Sequence, residues 1–279
     1  METPSLRSSD QRILGTLIHE LSLGEEPVSL ISDLHLRPEE ADKLAALDRL
    51  LAALPDDGVL VVLGDLFDAW VGYKQARVPG WREILERFAA LPERGIRCFY
   101  LWGNRDYQLD AHFEREVQGK VVPGGLRLRR HSGATLLCLH GDELCQNDTS
   151  YQRAKRRLRS WPLRFLGHHL PISLGLRAAS RARSRSTEVV SGTSQEALRP
   201  SRRALAAVAE TGTSRLLFGH IHVAGKGPLD AESAAAVYHV LPAFEAEEPC
   251  SASLDLEGEL TLLREGVSRP WPGPISLSP

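Results

Sequence analysis

The 279-residue chain carries 34 Lys and Arg against 36 Asp and Glu, a formal net charge of −2, so any grip on anions must come from local clusters rather than from the whole molecule. Its length suits one large α/β domain with an insertion and does not require two independent domains. No apolar run approaches the roughly 18 residues of a membrane-spanning helix, the N-terminus lacks a signal-peptide pattern, and Cys98, Cys138, Cys145 and Cys250 have no regular spacing, which fits free thiols in a reducing cytoplasm.

Residues 1–26 read as an N-terminal extension in which Ile13, Leu14, Leu17, Ile18 and Leu21, at helical spacing, predict one short amphipathic helix docked on the body. Residues 28–32 then read as a buried strand ending at Asp33, and 38–54 as a helix with an acidic first turn. The alternation repeats: a strand over 58–63 runs into Gly64-Asp65, a helix covers 81–91, and a strand over 96–102 runs into Gly103-Asn104. Such alternation implies crossover units and a largely parallel sheet. Segments 126–130 and 134–139 flank a Ser132-Gly133 turn as in a hairpin. After a strand over 214–218, candidates at 234–241, 251–256 and 259–263 predict an antiparallel C-terminal half. Two halves packed face to face, with helices outside, give a four-layer αββα sandwich spanning 27–267. The tail, 268–279, holds Pro270, Pro272, Pro274 and Pro279 and is not expected to form helix or strand.

Residues 149–212 are too many for a connection between neighbouring strands and read as an inserted helical cap. From Arg153 to Arg185 this insert is dense in arginine, with no acidic residue from Thr149 through Thr187, and Trp161, Phe165, Leu166, Leu170 and Ile172 are interleaved. By itself a charge run of this kind is as readily a solvated helix face as a grip on an anionic surface.

The residues that carry chemistry sit at the predicted strand ends, where open α/β sheets place their sites. Asp33 and His35, two apart, share one face of an extended strand end and offer a hard oxygen and a borderline nitrogen. Asp65 follows a glycine, and one carboxylate can bridge two cations about 3.5–4 Å apart. Asn104 adds an amide oxygen, and His140, His220 and His222 add imidazoles. Each piece alone is common by chance; their joint occurrence in one order is not. A nitrogen- and oxygen-rich set without thiolate suits Mn²⁺, Fe²⁺ or Zn²⁺.

Through Ser32-Asp33-Leu34-His35, Gly64-Asp65-Leu66-Phe67-Asp68, Gly103-Asn104-Arg105-Asp106, His140-Gly141-Asp142 and Gly219-His220-Ile221-His222, the sequence resembles the calcineurin-like metallophosphoesterases over about residues 27–225. The resemblance implies that Asp33, His35, Asp65 and His222 hold one divalent cation, and that Asp65, Asn104, His140 and His220 hold the other, Mn²⁺ being the first expectation. It implies attack on phosphorus by a metal-activated hydroxide, with no covalent enzyme intermediate and with Asp65, Asn104 and Arg105 in the catalytic machinery.

Most members of that family carry His where this chain has Arg105. Arginine cannot act as a general acid near neutral pH, but its planar fork suits a phosphate, so the leaving group should need little protonation. Gly103-Asn104-Arg105-Asp106, Asp68-Ala69-Trp70, and His140-Gly141-Asp142-Glu143-Leu144-Cys145 through Tyr151-Gln152-Arg153 resemble the UDP-2,3-diacylglucosamine hydrolases of lipid A biosynthesis. That narrower resemblance implies cleavage of the diphosphate of a UDP-linked diacyl sugar to UMP and a lipid sugar 1-phosphate. It implies substrate contacts from Arg105, Asp148, Tyr151 and Ser186, and a cytoplasmic enzyme with peripheral contact at the inner membrane through its basic, apolar insert. Val190 and Thr193 stand where that family's cap usually carries Asn and Lys. A phosphoesterase for nucleotides or nucleic acid is the alternative enzyme, although nucleic acid and an obligate protein partner are not expected. A non-catalytic scaffold is the alternative of another class, and it should have lost donors that are all present here.

Overall fold

The computed structural model describes residues 6–147, 152–153, 155, 157, 159–160, 171–178, 181, 199–230 and 233–278. Short runs of buried aliphatic residues make its parallel strands. β1 (Leu6–Ile13) and β2 (Thr16–Leu23) open the chain, and β3 (Val28–Ile31) follows. α1 (Ala41–Ala52) leads to β4 (Val59–Val62), α2 (Pro79–Ala89) to β5 (Arg97–Leu101), and α3 (Ala111–Val117) to β6 (Lys120–Val122). β3 to β6 pair in parallel, each joined to the next by a helix, which is the expected crossover unit. Proline in the first turn starts α2, and the Asp110 carboxylate accepts from His112 N and Phe113 N to cap α3.

The remaining elements are β7 (Gly125–Arg130), β8 (Thr135–Leu139), α4 (Arg202–Ala209), β9 (Arg215–Phe218), β10 (Gly225–Asp230), β11 (Ser233–Val240), β12 (Cys250–Leu254), β13 (Leu260–Arg264) and β14 (Val267–Arg269). One sheet runs β1-β2-β7-β8-β9-β11-β10 and the other β14-β13-β12-β3-β4-β5-β6. Leu30, Val59, Val61, Leu101, Leu128, Leu136 and Leu217 fill the space between them. A second core joins the β3–β6 sheet to α1, α2 and α3, and a third joins the β7–β9 sheet to α4. This is the predicted four-layer αββα sandwich.

Its internal arrangement differs from expectation in several places. The C-terminal strands pair antiparallel as expected, β10 with β11 and β12 with β13 and β3, but they do not form a half of their own: β9 pairs in parallel with β8 and β11, while β12, β13 and β14 extend the N-terminal sheet beyond β3. The N-terminal extension is a hairpin and not a helix. β1 pairs antiparallel with β2 across Leu14 and Gly15, both at positive φ, and β2 pairs in parallel with β7. Ile18 faces the α4 core and Leu21 and Leu23 the inter-sheet core, so apolar residues on both faces of one strand mimic a helical spacing.

The tail is ordered despite its prolines. Residues 268 and 269 complete β14, Lys226 N donates to Pro272 O, Trp271 Nε1 donates to Leu260 O, and Ser278 bridges to Ser201. α4, within the range read as cap, buries Ala204, Leu205 and Val208 against the sheet and belongs to the outer layer. The rest of the predicted cap lies largely outside the described residues, and so do Asp148, Tyr151, Ser186, Val190 and Thr193. Cys98, Cys138, Cys145 and Cys250 are buried thiols. No helix among the described residues is long and apolar enough to cross a membrane.

Candidate active site

The parallel strands stop together, and the residues that follow them turn sharply. Asp33, His35, Asp65, His220 and His222 all have positive φ, between 48° and 67°, so most of the sequence-predicted donors sit in left-handed backbone. For non-glycine residues that conformation is uncommon and must be held by its surroundings. Here the ladder continues past the strands: Asp33 N donates to Gly64 O (3.2 Å), His35 N to Asp65 O (2.9 Å) and Leu36 N to Leu66 O (3.0 Å). Three glycines allow the close approach. A Cβ on Gly64 would lie 2.8 Å from His140 Nδ1, one on Gly103 would collide with the Asp65 carboxylate, and one on Gly219 with Ser32 and Asp33.

Each donor is then oriented by a neighbour. Asp33 Oδ2 accepts from Ser32 Oγ (2.5 Å) and His220 N (2.8 Å), and Asp65 Oδ1 accepts from Arg105 N (2.9 Å). Leu63 O accepts from His140 Nδ1 (2.9 Å), which turns Nε2 toward Asn104 Oδ1 at 2.9 Å and Asp65 Oδ1 at 3.8 Å. His35 Nε2 and His222 Nε2 stand 3.2 Å apart, and Asp33 Oδ1 lies 3.9 Å from the first and 3.5 Å from the second. The structure therefore brings all seven candidate donors to one place, as two overlapping groups that share Asp33: Asp33 with His35 and His222, and Asp33 with Asp65 and His140. Asn104 joins the second group through His140, and the His220 ring meets the His140 ring at 5.0 Å.

The polar atoms fit cations. Among the described residues Asp33 Oδ1 and His35 Nδ1 are buried with no hydrogen-bond partner, and a neutral His140 would turn its Nε2 lone pair at the Asn104 carbonyl oxygen, two acceptors face to face. Donors bound to one ion at about 2.1 Å stand about 3–3.5 Å from each other, which the His35, His222 and Asp33 spacings approach. Electrostatics agree. Burial lifts the Asp65 carboxyl to about 7, with the Asp106 and Asp33 charges adding to it. Burial also opposes a charged His140, but Asp65, Asp33, Asp142 and Glu143 overcome it and push the imidazole up to about 9. Burial holds His35 down at about 2 and His220 at about 4, so those rings are neutral and ready to donate a lone pair.

Arg105 stands beside this centre. Its NH1 donates to Asp68 Oδ1 (2.7 Å), and its Nε lies 3.5 Å from Asp65 Oδ2. Phe67 stacks on Trp70 at 4.7 Å and meets Trp81 and Phe113 edge-on, fixing the loop that carries Asp65 and Asp68. Sequence reasoning gave no role to several residues that build the site. Asp106 Oδ1 accepts from Gly103 N and its Oδ2 from Leu66 N, tying two donor loops together. Asp142 takes Lys155 (2.9 Å) and Arg159 (3.6 Å) from the insert, and Arg159 NH2 donates to Gly103 O, so the insert is anchored on the Asn104 loop. Both acids stand inside the quoted motifs; their burial, which marks them as structural, is not visible in sequence.

An αββα sandwich that converges carboxylates, an amide and imidazoles from both sheets on one buried point, with an arginine at its edge, is a metal-dependent hydrolase of phosphate bonds. The chain belongs to the calcineurin-like phosphoesterase family, whose model matches residues 27–224. It is 36% identical over 202 residues to a UDP-2,3-diacylglucosamine hydrolase of Azotobacter vinelandii, covering 69% of this chain and 80% of that protein. It is 32% identical over 219 residues to the protein of the same name from Shigella dysenteriae (78% and 90%), and 31% identical over 194 residues to that of Edwardsiella ictaluri (69% and 74%).

Proposed function

We propose that this chain hydrolyses the diphosphate of UDP-2,3-diacylglucosamine, or of a close nucleotide-diphospho lipid sugar, releasing UMP and the sugar 1-phosphate of a lipid A precursor. The observation that carries this reading is Arg105, braced on Asp65 and Asp68 at the edge of the donor cluster, in a chain similar over most of its length to relatives of that name. Asp33, His35, Asp65 and His222 would hold one divalent cation, and Asp65, Asn104, His140 and His220 the other. Mn²⁺ is the first choice, with Fe²⁺ or Zn²⁺ compatible with the same donors. When bound, two such cations acidify the attacking water and offset charge on the phosphate oxygens.

The chain's own residues do the rest. The Arg105 main-chain N–H fixes the rotation of the Asp65 carboxylate, and its guanidinium, anchored by NH1 on Asp68 and turned by Nε toward Asp65, presents NH2 to a phosphate oxygen. Arg105 delivers no proton, so the leaving group departs as an anion, which a phosphate monoester does and a simple alkoxide does not. Asp148, Tyr151 and Ser186 are assigned to the sugar and acyl portions, and the basic insert to peripheral contact with the inner leaflet from the cytoplasm. The test is a screen of the purified, Mn²⁺-loaded chain against UDP-diacyl sugars, nucleotides and simple phosphodiesters. UMP release from UDP-2,3-diacylglucosamine is expected; no turnover of it beside brisk hydrolysis of the others overturns the assignment.

A further inference from the structure

Asp68 lies on the same loop as Asp65, is 5% exposed, and has both oxygens taken by arginines from different loops. Arg105 NH1 holds Oδ1 at 2.7 Å, and Arg37 Nε holds Oδ2 at 2.6 Å. One carboxylate neutralises one guanidinium, so this trio leaves a net positive charge beside the donor cluster. The acid is the buried member: the side chains of Arg37 and Arg105 are 38% and 31% exposed, so both guanidiniums lie on the solvent side of a shared base. Arg37 is not a loose surface residue either. It follows His35 by two positions, and the intervening Leu36 donates from its N to Leu66 O and accepts at its O from Asp68 N. Asp68 is the main influence on Arg37, with Glu40 and Glu39 acting in the same direction. The ion pair, however, is with Asp68, and among the described residues it engages Nε alone, so that the outer edge of the part-exposed Arg37 fork is available to an anion.

We propose that Arg37 is a second phosphate-binding residue, which with Arg105 forms a paired-guanidinium rim selecting substrates that carry two linked phosphoryl groups over those that carry one. A diphosphate diester brings one negative charge on each phosphoryl group. Arg105, with the cations that the donor cluster would hold, would serve the group under attack, and Arg37 its neighbour. This rests on the diphosphate reading above and deepens it, since it names the feature that separates a diphosphate from a simple phosphodiester.

The experiment uses the full-length Mn²⁺-loaded protein hydrolysing bis(p-nitrophenyl) phosphate, with UDP-glucose and orthophosphate as competing inhibitors. In Arg37→Gln the ratio of the UDP-glucose inhibition constant to that of orthophosphate should rise about tenfold, with a smaller rise in Arg37→Lys, which keeps the charge but not the fork. Metal content, read by elemental analysis, should stay at the wild-type level in both. An unchanged ratio, whether both constants rise together or neither moves, overturns the proposal, and so does loss of metal from both variants, because Arg37 would then only support the fold. The probes contain no lipid, so a wild-type protein inactive on UDP-2,3-diacylglucosamine would refute the substrate assignment without touching this result.

Discussion

The two sheets meet at the site with different chemistry. The β3–β6 sheet supplies Asp33, His35, Asp65, Asn104 and Arg105 from successive crossover units, whereas the β7–β9 sheet supplies only imidazoles, His140, His220 and His222. The first side holds the anionic charge, and burial alone would drive protons onto it. The second side is directional, with His220 held neutral by burial and with His140, drawn toward its charged form by the facing carboxylates, aimed by Leu63 O from the opposite sheet. Neither sheet carries a complete cluster, since His222 must reach Asp33 and His140 must reach Asp65 across the interface. The site therefore exists only when the inter-sheet core is formed, and each side can be broken separately.

The largest effect is expected on the carboxylate side. Asp65→Asn keeps the side-chain shape and removes the charge between the two proposed cation positions, and it should lower turnover on the order of a thousandfold. Bound metal, counted by elemental analysis, should fall below two ions per chain; full activity with two ions would show that Asp65 does not bridge. On the imidazole side, His140→Ala should cost about a hundredfold and remove one ion, while Asp33, His35 and His222 retain the other. Loss of both ions would mean that the sheets do not contribute separable sites. Arg105→Ala belongs to neither cluster and should lower turnover about ten- to a hundredfold with metal content unchanged.

The contrast in protonation gives a fourth outcome. Asp65, lifted to about 7, and His140, lifted to about 9, must both be deprotonated before they can donate to a cation, and His35 and His220 are already neutral. Below pH 7 protons occupy both groups and compete with metal. As pH rises from about 7 to about 9 that competition disappears, so apparent metal affinity should climb across this window with proton release on binding. Titration calorimetry in buffers of different ionisation enthalpy reads this directly, and a flat profile would contradict the assignment. The smallest effect on activity is expected in the tail: Trp271→Ala, which removes the hydrogen bond to Leu260 O, should cost about 1–3 kcal/mol in stability, seen by thermal unfolding, with turnover unchanged.

How far these features could be read in the sequence depended on where their physical cause lies. The crossover strands and all candidate donors were legible, because the apolar runs are contiguous and the donors follow them at once. The N-terminal hairpin was not, since Ile18 packs one way and Leu21 the other, erasing the alternation that marks a half-buried strand. β10 was missed for a related reason: Gly225, Gly227 and Pro228 in an edge strand give no apolar signal. The pairing of Arg37 with Arg105 on Asp68 joins three separate loops, and no local pattern announces it.

The left-handed backbone at Asp33, His35, Asp65, His220 and His222 also limits what substitution can do there. Alanine or a branched residue in that region costs about 1–2 kcal/mol, whereas aspartate, asparagine and histidine are the side chains that enter it most readily. These are also side chains that offer oxygen or nitrogen to hard and borderline cations. Main-chain shape thus acts as a filter on the donor alphabet. Drift at these positions is steered toward exchanging one oxygen or nitrogen donor for another, and so toward changing which cation is preferred before cation binding itself is lost.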